Sequence, residues 1–110
     1  MAAPNGARRD RRAHPQLPVT PQQTAETAAA CFAAGARALH LHVRDSEGLH
    51  SLDPGRYREA LDAVQESAPA MAVQITTESA GLYDVTAQIA CLEALRPAAA
   101  SVSVREMARD

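Results

Sequence analysis

The sequence predicts an α/β protein built around a parallel sheet. Helix-like and strand-like runs follow one another in the order α-β-α-β-α-β, and glycine or proline stands at most of the boundaries. Strands that alternate with helices of about 10–15 residues pair in parallel through right-handed crossovers. The ligand site of such a sheet lies at the carboxyl ends of its strands, so polar residues there are the candidates for function.

The composition fits one small globular domain or a part of one. The chain has 110 residues, a formal net charge of -2, and 46% hydrophobic but only 3% aromatic residues. No apolar run approaches the roughly 18 residues of a membrane span, and the arginine-rich N-terminus carries no apolar signal core, which predicts a cytoplasmic protein. Cys31 and Cys91 form no CxxC pair and fit buried, reduced thiols better than a disulfide or a zinc knuckle.

Residues 1–19 are predicted to form a loop that carries four arginines, Arg8, Arg9, Arg11 and Arg12. This basic run is short and lacks interleaved aromatic residues, and the total charge is negative, so neither a nucleic-acid nor a membrane partner is expected. The arginines are therefore either solvated or, for one or two of them, positioned to bind phosphate.

The first helix is predicted over residues 21–34. Thr20 is a hydroxyl N-cap, proline occupies the first helical position, and Gln23 completes a capping box. Gly35 then supplies a left-handed residue at the C-terminal end of the helix. A strand is expected over residues 38–44.

The later elements carry similar signals. Asp53-Pro54 starts a second helix that ends before Pro69, and strands over 71–77 and 99–104 flank a third helix over 85–95. Apolar spacing predicts the inward-facing residues, which are Tyr57, Ala60, Leu61 and Val64 on the second helix and Ile89, Leu92 and Leu95 on the third.

The expected strand over 38–44 combines strand periodicity with metal chemistry. Alternation gives it an apolar face, made by Leu39, Leu41 and Val43, and a polar face, made by His40, His42 and Arg44. Two imidazoles at this spacing lie about 6–7 Å apart at their bases, so both can reach one divalent ion. A catalytic zinc usually takes a third protein ligand, which would come from elsewhere. The spacing alone leaves open that both histidines are half-buried strand residues bonded to neighbours.

Several polar residues lie at or near the predicted carboxyl ends of the strands, where the site of a parallel sheet forms. They are His42, Arg44, Asp45, Thr76, Thr77, Glu78 and Ser103. Their position favours the metal interpretation of the histidine pair. No GxGxxG or GxxxxGK[ST] motif follows any strand, so binding of a dinucleotide or of a P-loop nucleotide is not indicated.

The chain resembles a known family in segments that run colinearly through nearly its whole length. They are Asn5-Gly6-Ala7, His14-Pro15, Leu17-Pro18-Val19-Thr20-Pro21, His40-Leu41-His42-Val43-Arg44-Asp45, Gly48, Asp53-Pro54, Tyr57, Gln74-Ile75-Thr76-Thr77 and Leu95-Arg96-Pro97. In these segments the chain resembles the β-keto acid cleavage enzymes, whose best-described member type is the 3-keto-5-aminohexanoate cleavage enzyme.

This resemblance implies the front part of a (βα)8 TIM barrel, about three and a half βα units. Complete barrels of this type need roughly 200–400 residues. Residues 1–110 are therefore expected to be a single, incomplete domain, from a truncated gene or a partial sequence. A half barrel that closes by association is a weaker alternative, because an open parallel sheet exposes an edge. A homo-oligomer is implied for the full-length form.

The resemblance also implies a reaction. A zinc-dependent retro-Claisen exchange would convert a β-keto acid and acetyl-CoA, the co-substrate, into acetoacetate and a new acyl-CoA. His40 and His42 match the zinc-binding histidines of the family. The third zinc ligand, a glutamate, and the catalytic aspartate and arginine come from later strands, so no catalytic residue is expected within this chain.

The substrate-carboxylate residues of the family match positions at the ends of the third and fourth barrel strands. A Ser-Thr-Gly-Gly turn and a threonine of the family match Thr76, Thr77, Glu78, Ser79 and Ser101. Of these, Thr76, Ser79 and Ser101 are the expected substrate-binding residues, and hydroxyl groups are preserved at Thr76 and Ser101. Glu78 and Ser79 replace two glycines. Glu78 would repel a substrate carboxylate unless it turns away or pairs with an arginine, and it is otherwise a solvent-facing loop acid.

Arg8 stands where the resemblance implies a glutamate that reads a substrate ammonium group. This reversal of charge predicts a β-keto acid with an anionic or neutral tail. An Arg8 that faces solvent or a CoA phosphate is the alternative. Arg44 and Asp45 are expected either to orient His42, as metal-bound histidines require, or to form a structural ion pair.

A non-catalytic function also stays open. In it the chain is an α/β metal-binding or assembly module, and His40 and His42 hold a structural ion with an acid such as Glu78. Closed coordination without exchangeable water would distinguish this module from an enzyme. His14 and His50 are expected at the surface of loops and are assigned to neither function.

Overall fold

The structure is a computed structural model that describes residues 1–108. Within this range the chain forms four helices and five short strands. They are α1 (Pro21–Ala33), β1 (Ala38–Leu41), β2 (Val43–Arg44), β3 (His50–Ser51), α2 (Pro54–Ser67), β4 (Ala72–Thr76), α3 (Val85–Leu95), β5 (Ala100–Ser101) and α4 (Val104–Met107).

Three of the strands form a parallel sheet in the order β1-β4-β5. β1 and β4 pair in register from Ala38 opposite Ala72, and β4 pairs with β5 at Thr76 opposite Ser101. Ala2 makes a parallel bridge along the other edge of β1. Parallel strands joined through helices confirm the predicted α/β class, and the arrangement is consistent with the front part of a TIM-barrel-like fold.

The strand expected over 38–44 is interrupted at His42, which corrects the prediction of one continuous strand. The Asn5 side chain donates to the His42 carbonyl at 2.8 Å, and β2 leaves the parallel sheet to pair antiparallel with β3. Asp45 closes the turn between β2 and β3, because its carboxylate accepts two backbone N–H groups. His50 is therefore a strand residue only 3% exposed, and its expected position at the surface of a loop is wrong.

The helix boundaries agree closely with the sequence signals. α1 has the expected capping box. Asp53 and Asp84 cap α2 and α3 by accepting a backbone N–H from the first turn of each helix. The last strand is shorter than the expected range 99–104, because Ser103 caps the short helix α4 instead of continuing the strand.

The core lies between the sheet and the helices that cover it, where α1 packs against α2 and α2 against α3. Its larger buried side chains are Leu39, Leu41, Val43, Leu52, Tyr57, Val64, Met71, Ile75 and Cys91. The Tyr57 hydroxyl donates to the Thr76 carbonyl at 2.7 Å, which ties α2 to the end of β4. Both cysteines are free thiols; Cys91 is buried as predicted, whereas Cys31 is only half-buried.

The inward face expected for α3 is wrong at one position. Ile89 is 43% exposed, whereas Gln88 and Cys91 are buried and Leu92 and Leu95 are half-buried. The helix is rotated so that an amide and a thiol, which apolar spacing does not detect, face the core. Among residues 1–108, no helix has the length and apolar character needed to cross a membrane.

Candidate functional site

Three imidazole rings lie together at the carboxyl end of β1. The ring centroids of His40 and His42 are 5.1 Å apart, and those of His42 and His50 are 5.6 Å apart. The strand interruption at His42 therefore does not separate the two histidines that the sequence predicts as metal ligands. His50 joins them from the β2–β3 hairpin.

The His40 ring is oriented by a neighbour on β4. Its Nδ1 lies 2.7 Å from Oε1 of Gln74, the residue paired with it across the sheet. An amide oxygen only accepts hydrogen bonds, so Nδ1 is the nitrogen that donates, and in the neutral ring Nε2 keeps its lone pair. A metal-binding histidine needs this arrangement, with one nitrogen fixed and the other available.

The His42 ring is buried and neutral. Burial, together with the nearby His40 and His50, lowers the pKa of His42 to about 4. At neutral pH the approach of Glu78 Oε2 to within 3.8 Å of Nε2 is therefore not an ion pair. Nδ1 is buried and has no hydrogen-bond partner in the described part of the chain. His42 thus offers an uncharged nitrogen, which is the form in which imidazole binds metals.

These two side chains fit two positions of a divalent metal site. Zinc takes neutral imidazole nitrogens at about 2.0–2.1 Å, and the two rings lie side by side with their centroids 5.1 Å apart. Within residues 1–108 no group of three His, Cys, Asp or Glu side chains is arranged to hold a metal ion. The acid that approaches the pair is Glu78.

His50 connects the hairpin to the loop after β4. Its Nε2–H donates to the backbone carbonyl of Glu78, and its own carbonyl accepts from the Tyr83 hydroxyl at 3.3 Å. Burial lowers the pKa of His50. The turn residues Asp45 and Gly48 could have located His50 from the sequence, because a hairpin turn there places His50 opposite a residue of β2.

Glu78 lies between two of the predicted site residues. Its Oε1 is 3.9 Å from Nη2 of Arg8, and its Oε2 is the atom that approaches His42. The Arg8 side chain is 67% exposed, so this ion pair at the limit of contact distance contributes little energy. The Glu78 carboxylate turns toward an arginine, which is one of the arrangements expected from the sequence.

The three predicted carboxylate-binding residues lie at adjoining strand ends but in different surroundings. Thr76 and Ser101 are paired across β4 and β5, and the Thr76 hydroxyl accepts from the Glu78 N–H at 3.1 Å. Ser79 is 3% exposed, and its N–H and hydroxyl both donate to the carboxylate of Glu106 at 3.0 Å. Sequence reasoning did not identify Glu106.

Arg44 holds the N-terminal loop in place. Its Nη2 donates to the carbonyls of Asn5, Gly6 and Arg9 at 2.8–3.2 Å, and its Nη1 donates to the carbonyl of Gly48 at 3.0 Å. Burial lowers the pKa of this arginine. Within residues 1–108 its hydrogen bonds go to the loop and the turn instead of to the ring of a histidine.

A cleft of about 610 Å³ opens between the N-terminal loop, the β2–β3 hairpin and the residues around Leu82. Its charged and polar lining is formed by Arg8, Asp10, Arg11, Arg12, Arg44, Glu47 and His50. Four guanidinium groups face two carboxylates, so the lining carries a net positive charge. Such a cleft favours an anionic ligand.

Comparisons with known proteins identify a family for the chain. A protein-family model described as "beta-keto acid cleavage enzyme" matches residues 1–110. The chain is 34% identical over 85 residues to the 3-keto-5-aminohexanoate cleavage enzyme of Fusobacterium nucleatum, covering 76% of this chain and 31% of that protein. It is 34% identical over 67 residues to the 3-oxoadipate:acetyl-CoA acetyltransferase of Cupriavidus necator, covering 61% of this chain and 24% of that protein.

A third relative aligns over more of the chain. The 3,5-dioxohexanoate:acetyl-CoA acetone transferase of Paraburkholderia graminis is 32% identical over 106 residues, covering 96% of this chain and 34% of that protein. The chain thus spans about a third or less of the length of the curated relatives it matches.

Proposed function

The chain belongs to the beta-keto acid cleavage enzyme family, and on that premise we propose that it forms part of an enzyme that cleaves a β-keto acid with acetyl-CoA as co-substrate. The products are acetoacetate and a new acyl-CoA. Two relatives carry acetyl-CoA transferase names, which supports this reaction type. We further propose that residues 1–110 are the front part of one (βα)8 domain and that the full-length protein is a homo-oligomer.

The pair of adjacent imidazoles at the carboxyl end of β1 is the observation that carries this proposal. His40 and His42 would hold a zinc ion, with a third ligand from outside this chain. When bound there, the ion would polarise the keto group of the substrate and stabilise enolate charge. Gln74 keeps the His40 Nε2 lone pair free, and burial keeps His42 unprotonated.

The substrate carboxylate would bind at the ends of β4 and β5. Thr76, Ser79 and Ser101 offer hydroxyl groups there, and the backbone N–H of Ser79 adds a donor. Hydrogen bonds to a carboxylate are stronger than those between neutral groups, so these donors would fix the orientation of the keto acid. The proton-transfer groups would come from the rest of the barrel.

The substrate tail would point to the arginine-lined cleft, with Arg8 as the residue that reads it. An anionic or neutral tail fits the positive lining better than an ammonium group does. The name of the Cupriavidus necator relative contains 3-oxoadipate, a dicarboxylate, which supports this choice of substrate. Glu78 would have to release Arg8 for the tail to bind.

A panel of β-keto acids with carboxylate, alkyl and ammonium tails tests the role of Arg8. The wild-type protein should turn over the ammonium substrate least well, and Arg8→Glu should reverse the preference by roughly tenfold or more. Arg9→Glu is the matched control, because it makes the same change in the same exposed loop outside the cleft lining. Highest turnover of the aminated acid by the wild-type protein would contradict the proposal.

Zinc content and acetyl-CoA-dependent acetoacetate formation test the reaction itself. We would measure both on the 110-residue chain and on any longer reading frame that contains it, and we expect activity only in the longer form. His40→Ala and His42→Ala should lose zinc and activity, while His14→Ala, in an exposed loop, should keep both. Activity of the 110-residue chain alone would mean that the half barrel closes by association.

A structural metal site is the second candidate, because Glu78 approaches His42 to 3.8 Å. In that case the Glu78 carboxylate would have to move onto an ion held by His40 and His42, in a site closed to exchangeable water, and the chain would be an assembly module. Glu78→Gln would then abolish metal binding. If the chain is part of the enzyme, Glu78 is not a ligand and the substitution leaves zinc content unchanged.

A further inference from the structure

The donors of Ser79 are already bound by a carboxylate of the same chain. Glu106 Oε2 accepts the Ser79 backbone N–H and Glu106 Oε1 accepts the Ser79 hydroxyl, each at 3.0 Å. Two donors on one residue and two oxygens on one carboxylate form the bidentate arrangement by which proteins bind carboxylate ligands. Ser79 is only 3% exposed, so with Glu106 in place the two donors are not open to a ligand carboxylate.

The topology of the sheet brings Glu106 to this place. Ser79 follows β4, and α4 follows β5, which is the parallel neighbour of β4. Ser103 caps α4 by accepting the backbone N–H of Glu106, so the first turn of α4 presents the side chain toward the Ser79 turn. Within residues 1–108 the Glu106 carboxylate forms no ion pair, and it accepts its hydrogen bonds from Ser79.

We propose that Glu106 is an internal competitor for the carboxylate position at Ser79 and that it sets the affinity with which the protein binds a β-keto acid. This inference rests on the proposed function, which assigns Ser79 to the substrate carboxylate. Two carboxylates do not share the same pair of donors, because like charges at this distance repel. Substrate binding therefore requires the Glu106 side chain to move away from Ser79.

The structure provides space for that movement. A cavity of about 340 Å³ adjoins both residues and continues past Tyr83 to Gln88. The amide oxygen of Gln88 is buried and has no hydrogen-bond partner in the described part of the chain. The displaced side chain has room in this cavity, and the α4 turn that carries it is short.

Binding of acetoacetate to the full-length protein tests the inference. Isothermal titration would compare the wild-type protein with Glu106→Ala, which removes the competitor, and with Glu106→Gln, which keeps its size. Glu93→Ala is the matched control, because it removes one exposed carboxylate from α3. We expect both Glu106 variants to bind acetoacetate roughly tenfold more tightly, since one charged hydrogen-bonded pair no longer has to be broken. Glu93→Ala should bind like the wild type.

The same titrations in a Ser79→Ala background separate the inference from the proposed function. If Glu106 acts through Ser79, its removal in this background gives a much smaller gain than in the wild type. A Ser79→Ala variant that binds acetoacetate more weakly, with no gain from either Glu106 substitution, overturns the inference and keeps the role of Ser79. Binding that neither Ser79→Ala nor the Glu106 variants alter overturns both.

Discussion

At the scale of single residues, the site depends on contacts that fix the position of its polar groups. His50 is the clearest case, because its Nε2–H holds the backbone of Glu78 while its ring lies against His42. The loop that carries Glu78 therefore has a fixed distance from the proposed metal ligands. Groups that orient metal-binding histidines typically change metal affinity by about 10–100-fold when they are removed.

We predict that His50→Phe weakens zinc binding by roughly tenfold, because phenylalanine keeps the ring but releases the Glu78 loop, which approaches His42 to 3.8 Å and helps to fix the position of that ligand. His50→Gln keeps a donor without the ring and should retain most of the affinity. Competition with a chromophoric chelator measures both. Thermal unfolding of the metal-free variants controls for damage to the fold, and equal zinc affinity in all three proteins would contradict the role of His50.

The residue scale also shows which parts of the site a sequence can predict. Alternation along a strand predicts that His40 and His42 lie side by side, because both belong to one short segment. His50 and Glu106 reach the site through the β2–β3 hairpin and through the pairing of β4 with β5. Their contacts depend on which strands become neighbours, and no local spacing encodes that.

At the scale of elements, one side chain ties the N-terminal loop to β2. Arg44, on β2, donates to three carbonyls of the loop that carries Arg8. Hydrogen bonds from a buried guanidinium to carbonyls are charge-assisted and therefore stronger than neutral ones. A lysine has a single compact ammonium group and cannot reproduce this forked geometry.

Arg44→Lys should therefore loosen the loop without unfolding the sheet. We expect tryptic cleavage after Arg8 and Arg9 to become about tenfold faster, since cleavage follows the population of locally open chains. Limited proteolysis followed by mass spectrometry measures this rate. Arg58→Lys, an exposed position on α2, is the control, and similar rates in the two variants would contradict the tether.

The link between α2 and the sheet predicts a dependence of stability on alkaline pH. Burial raises the pKa of Tyr57 above its usual value, and burial also raises the pKa of Cys91. A raised pKa gives a contribution that is complete below the unfolded value, about 10 for tyrosine, and is lost as the pH rises toward the folded value. The free energy of unfolding should fall above pH 10 by about 1.4 kcal/mol per pH unit for this one group.

Urea unfolding between pH 8 and 11 measures this dependence. Tyr57→Phe should be less stable at pH 8, because the hydroxyl donor to Thr76 is lost, but its stability should fall less steeply above pH 10. Tyr83→Phe removes the other tyrosine hydroxyl, which is less buried. If the free energy of unfolding of Tyr57→Phe falls as steeply with pH as that of the wild type, Tyr57 has the same pKa in the folded and unfolded states.

Prediction of the elements succeeded where the signal is local and failed where a distant residue intervenes. Thr20, Asp53 and Gly35 mark helix ends through their own capping chemistry or backbone conformation, and these ends agree with the structure. The strand over 38–44 was expected to be continuous because its alternation is regular. The side chain of Asn5, far away in the sequence, donates a hydrogen bond to the carbonyl of His42. No feature of residues 38–44 indicates this contact.

At the scale of the whole molecule, the parallel sheet presents an edge. Within residues 1–108, β5 pairs with β4 on one side and has no partner strand on the other. Val102 directly follows β5 and Val104 begins α4, and they are 48% and 79% exposed. Apolar residues beside an open strand edge favour pairing with another chain, which native proteins usually prevent by covering or charging the edge.

We therefore predict that the 110-residue chain, expressed alone, associates with itself through β5. Sedimentation velocity should show a mass that grows with protein concentration, and Val102→Lys should shift the chain toward the monomer, because a charge beside the edge opposes pairing. Ile89→Lys is the matched control, since it places the same charge at an exposed position on α3, away from the edge. A longer reading frame whose added residues cover this edge should not associate in this way. A monomer at every concentration would mean that the edge is already protected, and equal effects of the two lysine substitutions would assign association to another surface.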